Sequence, residues 1–232
     1  PRDILDKEIQ RILELGDVKV VLGKRVGKDI ALDEIEKSHD AVLWTIGCWT
    51  GKGLPLEGSD VENCLTGVEF LEAFCQGRLK VGAKKVVCVG GGDTSIDVVS
   101  VARRLGHISN LNPQENPEAI VHGYVAQDVS ESAVKEGAEV TLTSLFKREE
   151  MTAAEQEVND AMHEGVTILN GVMPIKIEKD KNNRATALVI ADCKVENNIP
   201  TPIEGTEKTI KTDLIVSAIG QAPDIEGLED LG

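Results

Sequence analysis

The stretch Lys84–Gly106, KKVVCVGGGDTSIDVVSVARRLG, decides the fold of this chain. It begins with a short apolar run that is rich in valine and that stops at three consecutive glycines. Apolar residues at helical spacing follow until Gly106. An apolar β-branched run predicts a buried strand, and the spacing after the glycines predicts an amphipathic helix. We therefore expect a strand, a tight turn and a helix.

The glycines have the spacing of a dinucleotide-binding turn. In such a turn Gly90 allows the chain to bend sharply, and Gly92 lets a pyrophosphate approach the backbone. Ser95 stands where the third small residue belongs, so that the helix packs closely on the strand. We expect Asp93 or Thr94 to cap the helix, whose N–H groups and positive dipole end then face the phosphates. The alternative is an ordinary glycine-rich turn.

Length and composition limit the class of protein. A chain of 232 residues forms one large domain or two small ones and buries a core without disulfides. The net charge of −15 argues against a nucleic-acid or anionic-membrane partner. No apolar run approaches about 18 residues and no signal-peptide pattern opens the chain, which favours a soluble, cytoplasmic protein. The five cysteines are too dispersed for a CxxC pair or a zinc site.

The sequence before the glycines predicts a helix and two buried strands. The helix covers Ile4–Leu13, where apolar residues repeat at helical spacing. The strands, Val18–Leu22 and Ala41–Gly47, are almost continuously apolar, as strands buried on both faces of a parallel sheet are. Leu32–Ile35 between them fits a helical turn. Gly47–Asp60 is rich in glycine and predicts a linker.

The sequence after the linker predicts helices first and then β-structure. Thr152 is expected to cap a helix, with Glu155 three positions on. The predicted elements are a helix at 68–74, a loop and helix at 107–137, a strand at 139–145, a helix at 152–163, strands at 166–169, 172–178, 185–194 and 208–211, a hairpin turn at 181–183, and a last buried strand at 213–220. This order is typical of a nucleotide-binding α/β domain with a β-meander.

Several segments resemble one family. Val86–Val99, Phe146–Val166 and Asp213–Asp224 are similar to the pyridine-nucleotide domain of the glutamate synthase small-subunit type of flavoprotein. The opening stretch Pro1–Gly58 resembles the part of the flavin domain that precedes it. The resemblance implies an α/β fold: a Rossmann-like nucleotide-binding domain with a β-meander, plus an incomplete portion of a second, FAD-type Rossmann domain.

The same resemblance implies a flavoprotein oxidoreductase. In this family an FAD domain is interrupted by an NAD(P)H domain, and hydride passes from nicotinamide to FAD and on to iron-sulfur centres or a partner protein. The chain has one glycine fingerprint, whereas the flavin domain of the family has its own. We therefore expect 1–58 to be a partial FAD-binding domain and linker, 59–221 the NAD(P)H-binding domain, and 222–232 a return segment toward the FAD domain. The missing FAD-domain segments are then partners of this chain.

The resemblance places the nicotinamide dinucleotide on the glycine turn, on the residues after the next strand and on the end of the last strand. The predicted cofactor-binding residues are Gly90, Gly91, Gly92, Asp93, Thr94, Ser95, Ser144, Leu145, Phe146, Lys147, Arg148, Ala218, Ile219 and Gly220. No catalytic residue and no metal ligand is predicted, because the hydride chemistry belongs to the cofactors.

The choice between NADH and NADPH depends on the end of the strand at 139–145. Leu145 and Phe146 fall where the resembling enzymes have arginines that hold the 2′-phosphate, and apolar side chains offer that phosphate neither charge nor hydrogen bonds. Lys147 and Arg148 are alternative cations. No acidic residue stands at the strand tip to hold a ribose diol, but Ser144 or the backbone can do so. The sequence slightly favours NADH.

Other functions remain open at the level of sequence. One alternative is a disulfide reductase of related architecture, against which the lack of a close cysteine pair counts. Another is a non-catalytic nucleotide-sensing or assembly module. For the oxidoreductase, the acceptor is a glutamate synthase large subunit, an iron-sulfur partner or a sulfur-metabolism reductase. The 107–137 insertion is either an elaboration of the domain edge or a partner-docking surface.

Overall fold

A computed structural model describes residues 2–76, 83–103, 138–197, 199–226 and 228. The chain divides into two compact units: unit 1 is Pro1–Gly47 with Asp224–Gly232, and unit 2 is Cys48–Pro223. The predicted insertion at 107–137 lies outside the described residues. Residues 48–58, which we assigned to the linker, belong to unit 2.

The described elements are five α-helices and eleven strands. The helices are α1 Arg2–Leu13, α2 Leu32–Ser38, α3 Gly67–Cys75, α4 Asp93–Arg103 and α5 Glu155–His163. The strands are β1 Thr50–Gly51, β2 Cys64–Thr66, β3 Lys85–Val89, β4 Glu139–Ser144, β5 Thr167–Asn170, β6 Val172–Lys179, β7 Ala185–Glu196, β8 Ile199–Pro202, β9 Lys208–Lys211, β10 Leu214–Ser217 and β11 Gln221–Ala222. None of these helices combines the length and the apolar character that crossing a bilayer requires.

Unit 2 is built on a five-stranded parallel sheet with the strand order β2, β10, β3, β4, β5. β3 lies at its centre and is followed in the chain by α4. β4 is the neighbour of β3 on the side toward β5. The central strand is buried on both faces, as its apolar run predicts. Val86 and Cys88 belong to the cluster formed with the helices, whereas Val87 and Val89 belong to the cluster formed with the antiparallel strands.

These two clusters define three layers. On one face of the sheet, helices α3, α4 and α5 contribute Phe70, Val98 and Ala161 to the core. On the other face lies an antiparallel meander in which β7 pairs with β6, β8 and β9. Its buried Leu188 and Ile190 pack toward the sheet. The predicted α/β class and the Rossmann-like domain with a β-meander are therefore confirmed.

The turn at 181–183 between β6 and β7 is also confirmed. Asn183 has a φ of 58°, in the left-handed region that asparagine tolerates better than most residues. The carboxylate of Asp180 accepts hydrogen bonds from the N–H groups of Asn182 and Arg184 at 2.8 and 3.0 Å. An aspartate that bonds to its own backbone in this way fixes the turn without a glycine.

The strands predicted at Val18–Leu22 and Ala41–Gly47 are wrong. Helix α1 forms as expected, but both apolar stretches are irregular. A strand requires a partner for its backbone N–H and C=O groups. Within the described part of unit 1 the recorded β-pairing is a single bridge between Val26 and Ile30. Leu22 and Leu43 are accordingly exposed to 83% and 87%.

The predicted helix caps are wrong as well. Helix α4 begins at Asp93, so that Asp93 and Thr94 lie inside its first turn. Helix α5 begins at Glu155 after Ala154, and Thr152 lies two residues before that N-cap position. The carboxylate of Asp93 accepts a hydrogen bond from the Ala154 N–H at 3.2 Å. Asp93 therefore serves the start of α5, an interaction that joins distant parts of the chain.

Ser95 lies where α4 packs against β3, and its carbonyl accepts from the Cys88 Sγ at 3.8 Å. Its side chain is completely buried, and its Oγ donates to the carbonyl of Gly92 at 2.6 Å.

We expect Ser95→Leu to lower the free energy of unfolding by about 1–3 kcal/mol, because added methylenes in a filled site force the helix off the strand. Thermal and urea unfolding measure this loss. Ser100→Leu, the same change at a half-exposed position of α4, is the control, and an equal loss there contradicts the explanation.

Candidate functional site

A cavity of about 800 Å³ opens at the carboxyl edge of the parallel sheet, where β3, β4 and β10 end. Ligands of open α/β sheets bind outside the carboxyl ends of the strands, at the point where the strand order reverses. Small-molecule sites commonly measure about 300–1,000 Å³. All but three of the predicted binding residues line the cavity. The exceptions are Ser95, Lys147 and Arg148.

The glycine turn forms the floor of the cavity, and its three glycines have different reasons to be glycine. A Cβ on Gly90 would collide with the backbone oxygen of Ala218 at the end of β10. A Cβ on Gly91 would come within 2.7 Å of the Ser144 Oγ. A Cβ on Gly92 would meet one atom within 4 Å, the Thr152 Oγ1 at 3.2 Å. Packing therefore requires the first two glycines, and the third leaves space open on the cavity side.

The N-terminus of α4 also faces this space. Within the described ranges, no hydrogen bond uses the N–H groups of Gly92, Asp93 or Thr94. The first N–H groups of a helix have no partner in the helix itself, and together with the helix dipole they favour an anion. The turn and the helix terminus thus fit a phosphate group.

The residues after β4 form a fixed apolar wall. The Oγ of buried Ser144 accepts from the Phe146 N–H at 3.2 Å. The Phe146 carbonyl accepts from the Asn170 side chain at 3.0 Å and from the Gly171 N–H at 3.2 Å. With its backbone held on both sides, Phe146 lines the cavity and keeps 37% of its surface exposed. Leu145 lines the same wall.

Arg148 turns away from this wall. Its Nη2 donates to the Oδ1 of Asn159 on α5 at 2.8 Å. Its Nη1 is buried and has no hydrogen-bond partner among the described residues. Neither Arg148 nor Lys147 lines the cavity. The two cations that the sequence offered for a 2′-phosphate therefore lie outside the site in this structure.

The wall formed by the segment before β2 was missed by sequence reasoning. Cys48, Leu54 and Leu56 line the cavity, although we read this segment as a linker. Two long-range contacts hold the segment in place: the Ser217 Oγ donates to the Lys52 carbonyl at 2.7 Å, and the Lys52 N–H donates to the Gly220 carbonyl at 3.0 Å. The glycines and the proline of this stretch gave no signal for those contacts.

Gln221 is a second residue that sequence reasoning missed. It lines the cavity from β11, which pairs with β1 through Gly51 and Gln221. Its Nε2 donates to the Thr94 Oγ1 at 3.2 Å, so that it connects the end of β10 with the first turn of α4. The side chain therefore closes the cavity between these two elements.

Three of the described thiols have raised pKa values. Burial raises the pKa of Cys64 to about 11, and the charge of Glu69 adds to the effect. Burial also raises the pKa of Cys88 and, together with Asp192, that of Cys193. Thiols with raised pKa values are poor nucleophiles at neutral pH. No group of three or more metal-ligating side chains occurs in the described ranges either.

The side chains that line the cavity carry a net negative charge. Of the described residues that line the cavity, Asp93 alone carries a charged side chain. The lining thus combines a helix N-terminus that favours anions with one carboxylate and no cation.

Comparison with known proteins agrees with this geometry. The family described as "Pyridine nucleotide-disulphide oxidoreductase" matches residues 3–232. The beta subunit of the NADPH-Fe(3+) oxidoreductase of Geobacter sulfurreducens is 33% identical over 99% of this chain and 31% of its own length. The small chain of the NADPH glutamate synthase of Azospirillum brasilense is 26% identical over 95% of this chain and 44% of its own length. The chain thus spans less than half the length of these relatives.

A solved structure shows the same fold at low identity. Mycobacterium tuberculosis FprA in complex with NADPH matches with a TM-score of 0.64 and 11% identity, over 85% of this chain and 53% of that one.

Proposed function

The chain belongs to the pyridine nucleotide-disulphide oxidoreductase family, and we propose that it is the NAD(P)H-binding module of a flavoprotein oxidoreductase. In the full-length protein, hydride passes from nicotinamide to FAD and on to an iron-sulfur or partner-protein acceptor. The resemblance to the glutamate synthase small-subunit type is confirmed by the Azospirillum relative. The observation that carries the proposal is the cavity above the glycine turn, into which the free N–H groups of α4 open.

The residues of the chain bind and orient the coenzyme in this proposal. The N–H groups of Gly92, Asp93 and Thr94 hold the pyrophosphate at the N-terminus of α4. The apolar lining contributed by Leu54, Phe146 and their neighbours excludes water from the coenzyme. The bound dihydronicotinamide supplies the hydride. No acid, base or nucleophile from the chain is needed for that step.

The described residues of unit 1 do not fit an FAD pyrophosphate. They contain no strand that ends in a glycine turn before a helix, which is the element that would hold it. We therefore derive no flavin step within this chain. In the proposed full-length protein, FAD is held mainly by other segments of the FAD domain.

The 232-residue chain is accordingly expected to purify without stoichiometric FAD. A dinucleotide pyrophosphate needs its own helix N-terminus, and the one glycine turn of the sequence is assigned to the nicotinamide coenzyme. Visible absorbance of the purified chain, and of the supernatant after denaturation, measures the flavin content. One flavin per chain would contradict this expectation.

A diaphorase assay of the full-length protein tests the proposed function. Oxidation of NADH or NADPH with an artificial electron acceptor is the expected result. Nucleotide binding without turnover would support the alternative of a nucleotide-sensing or assembly module. Reduction of a disulfide substrate in preference to the artificial acceptor would support the disulfide reductase. The lack of a close cysteine pair in this chain counts against that alternative.

We further propose that the coenzyme is NADH rather than NADPH. A 2′-phosphate needs a cation, and no described residue lining the cavity provides one. Phe146 occupies the wall, and the guanidinium of Arg148 is turned toward Asn159. The NADPH named for the relatives from Geobacter and Azospirillum and for FprA is a property of those proteins. The residues of this chain favour a coenzyme whose adenosine ribose carries no 2′-phosphate.

The electron acceptor is proposed to be a partner protein. The relatives are named as a beta subunit and a small chain, and this chain spans less than half of either. In this proposal an iron-sulfur protein or a larger subunit accepts the electrons that pass from nicotinamide through flavin. Reconstitution of the full-length protein with a co-purifying subunit, followed by reduction with NADH, identifies the acceptor.

A further inference from the structure

Asp93 places a negative charge where a coenzyme pyrophosphate would bind. It is exposed, it lies in the first turn of α4, and among the described residues lining the cavity it carries the one charged side chain. The pyrophosphate of a dinucleotide is itself negatively charged. An acidic side chain near a helix N-terminus interacts with the same dipole as a bound anion, and the two negative charges repel each other. The carboxylate therefore opposes the attraction that α4 offers.

The position of this carboxylate is fixed by a second helix. Its Oδ1 accepts from the Ala154 N–H at 3.2 Å, just before α5 begins. The neighbouring Ala153 N–H donates to the Gly91 carbonyl at 3.2 Å, which ties the same segment to the glycine turn. Asp93 consequently cannot swing far from the cavity without releasing the start of α5. In this structure its charge therefore lies beside the turn.

A second carboxylate on α4 has the same sign as Asp93. Asp97 follows one helical turn later, and like charges four residues apart on a helix repel each other. Burial raises the pKa of Asp97, and the charge of Asp93 adds to that effect. No ion pair among the described residues involves Asp93. The chain as a whole carries −15.

We propose that Asp93 limits the affinity of this site for the coenzyme by repelling its phosphates, so that the nucleotide binds weakly and exchanges readily. This proposal rests on the proposed function, because it assumes a dinucleotide in this cavity. It assigns to Asp93 a role in setting affinity that is separate from its hydrogen bond to the start of α5. An amide at this position would keep the hydrogen bond and remove the repulsion.

Asp93→Asn in the full-length protein tests the proposal. The asparagine Oδ1 still accepts from the Ala154 N–H, so the expected change is electrostatic. Calorimetric titrations use adenosine and ADP as probes, which differ in charge but share the adenosine moiety. We expect ADP to bind about two- to fivefold more tightly to the variant, the range expected for one charge at a helix terminus. Adenosine should bind equally to both proteins, and added salt should reduce the gain for ADP.

Asp97→Asn is the matched control, since it removes the same charge one turn farther along α4, outside the cavity lining. Its effect on ADP affinity should be smaller than that of Asp93→Asn. An ADP affinity that is unchanged or weaker in Asp93→Asn overturns the proposal, as does an equal gain in Asp97→Asn or an equal gain for adenosine. If the wild-type protein binds neither ADP nor NADH, the proposed function itself fails. Thermal unfolding of each variant shows that the fold is retained.

Discussion

Replacing Gly92 by valine is expected to abolish binding of NADH and NADPH while leaving the unfolding temperature close to that of the wild-type protein. The new Cβ would meet the Thr152 Oγ1 at 3.2 Å, and this exposed side chain can rotate aside by giving up its long hydrogen bond to the Gly91 carbonyl at 3.5 Å. The two methyl groups beyond it would occupy the space between the turn and the cavity. A pyrophosphate must approach the backbone through that space. We expect a loss of affinity on the order of 100-fold or more, or about 2.7 kcal/mol.

Calorimetric titration of the variant with each coenzyme measures this loss. Gly90→Val is the matched control, because the same side chain is placed two residues earlier against the backbone oxygen of Ala218. Neither backbone segment is able to yield, so Gly90→Val should destabilise the fold by about 3 kcal/mol or more. Wild-type affinity in Gly92→Val would show that the nucleotide binds elsewhere. Unfolding of both variants alike would show that Gly92 is a packing residue.

The contrast between these glycines shows what the sequence was able to predict. The strand, the glycine turn and the helix from Lys85 to Arg103 follow from local patterns, as do the hairpin at Asn183 and the buried last strand. The sequence also indicated that Gly90 must be glycine. The reason turned out to be β10, a strand more than a hundred residues away, because its carbonyl at Ala218 fills the space of a Cβ. Such a reason is not contained in a local pattern.

The wrong predictions have the same origin. Val18–Leu22 and Ala41–Gly47 have the composition of buried strands, but strand formation also needs a neighbouring strand, and composition does not reveal one. Thr152 has the right residue type for a cap. Helix α5 nevertheless starts later, because Asp93 of α4 accepts the hydrogen bond from the Ala154 N–H. The cavity wall at Cys48 and Leu54 was missed because it is held by β10 and β11. Each case depends on contacts between segments far apart in the sequence.

The second large effect concerns coenzyme choice: Phe146→Arg is expected to raise affinity for NADPH about tenfold or more. Phe146 lines the cavity, its backbone is fixed by Ser144 and Asn170, and it is partly exposed. An arginine there would add a charge-assisted hydrogen bond to the 2′-phosphate, which contributes about 1.5–3 kcal/mol. Added salt should weaken the gain, because an exposed ionic contact is screened. Phe146→Gln is the control, since it removes the ring without adding charge.

Arg148→Ala distinguishes this proposal from its rival, in which Arg148 already holds a 2′-phosphate. In the structure its Nη2 bonds to Asn159 and its Nη1 is buried, so the guanidinium is committed to the contact with α5. We therefore expect Arg148→Ala to leave the ratio of NADH to NADPH affinity unchanged, with the wild-type protein binding NADH at least as tightly as NADPH. Titration of wild type, Phe146→Arg and Arg148→Ala with both coenzymes measures these ratios. A wild-type preference for NADPH that disappears in Arg148→Ala would contradict the NADH proposal, because the phosphate would then be held by a side chain that must rotate from Asn159 to reach it.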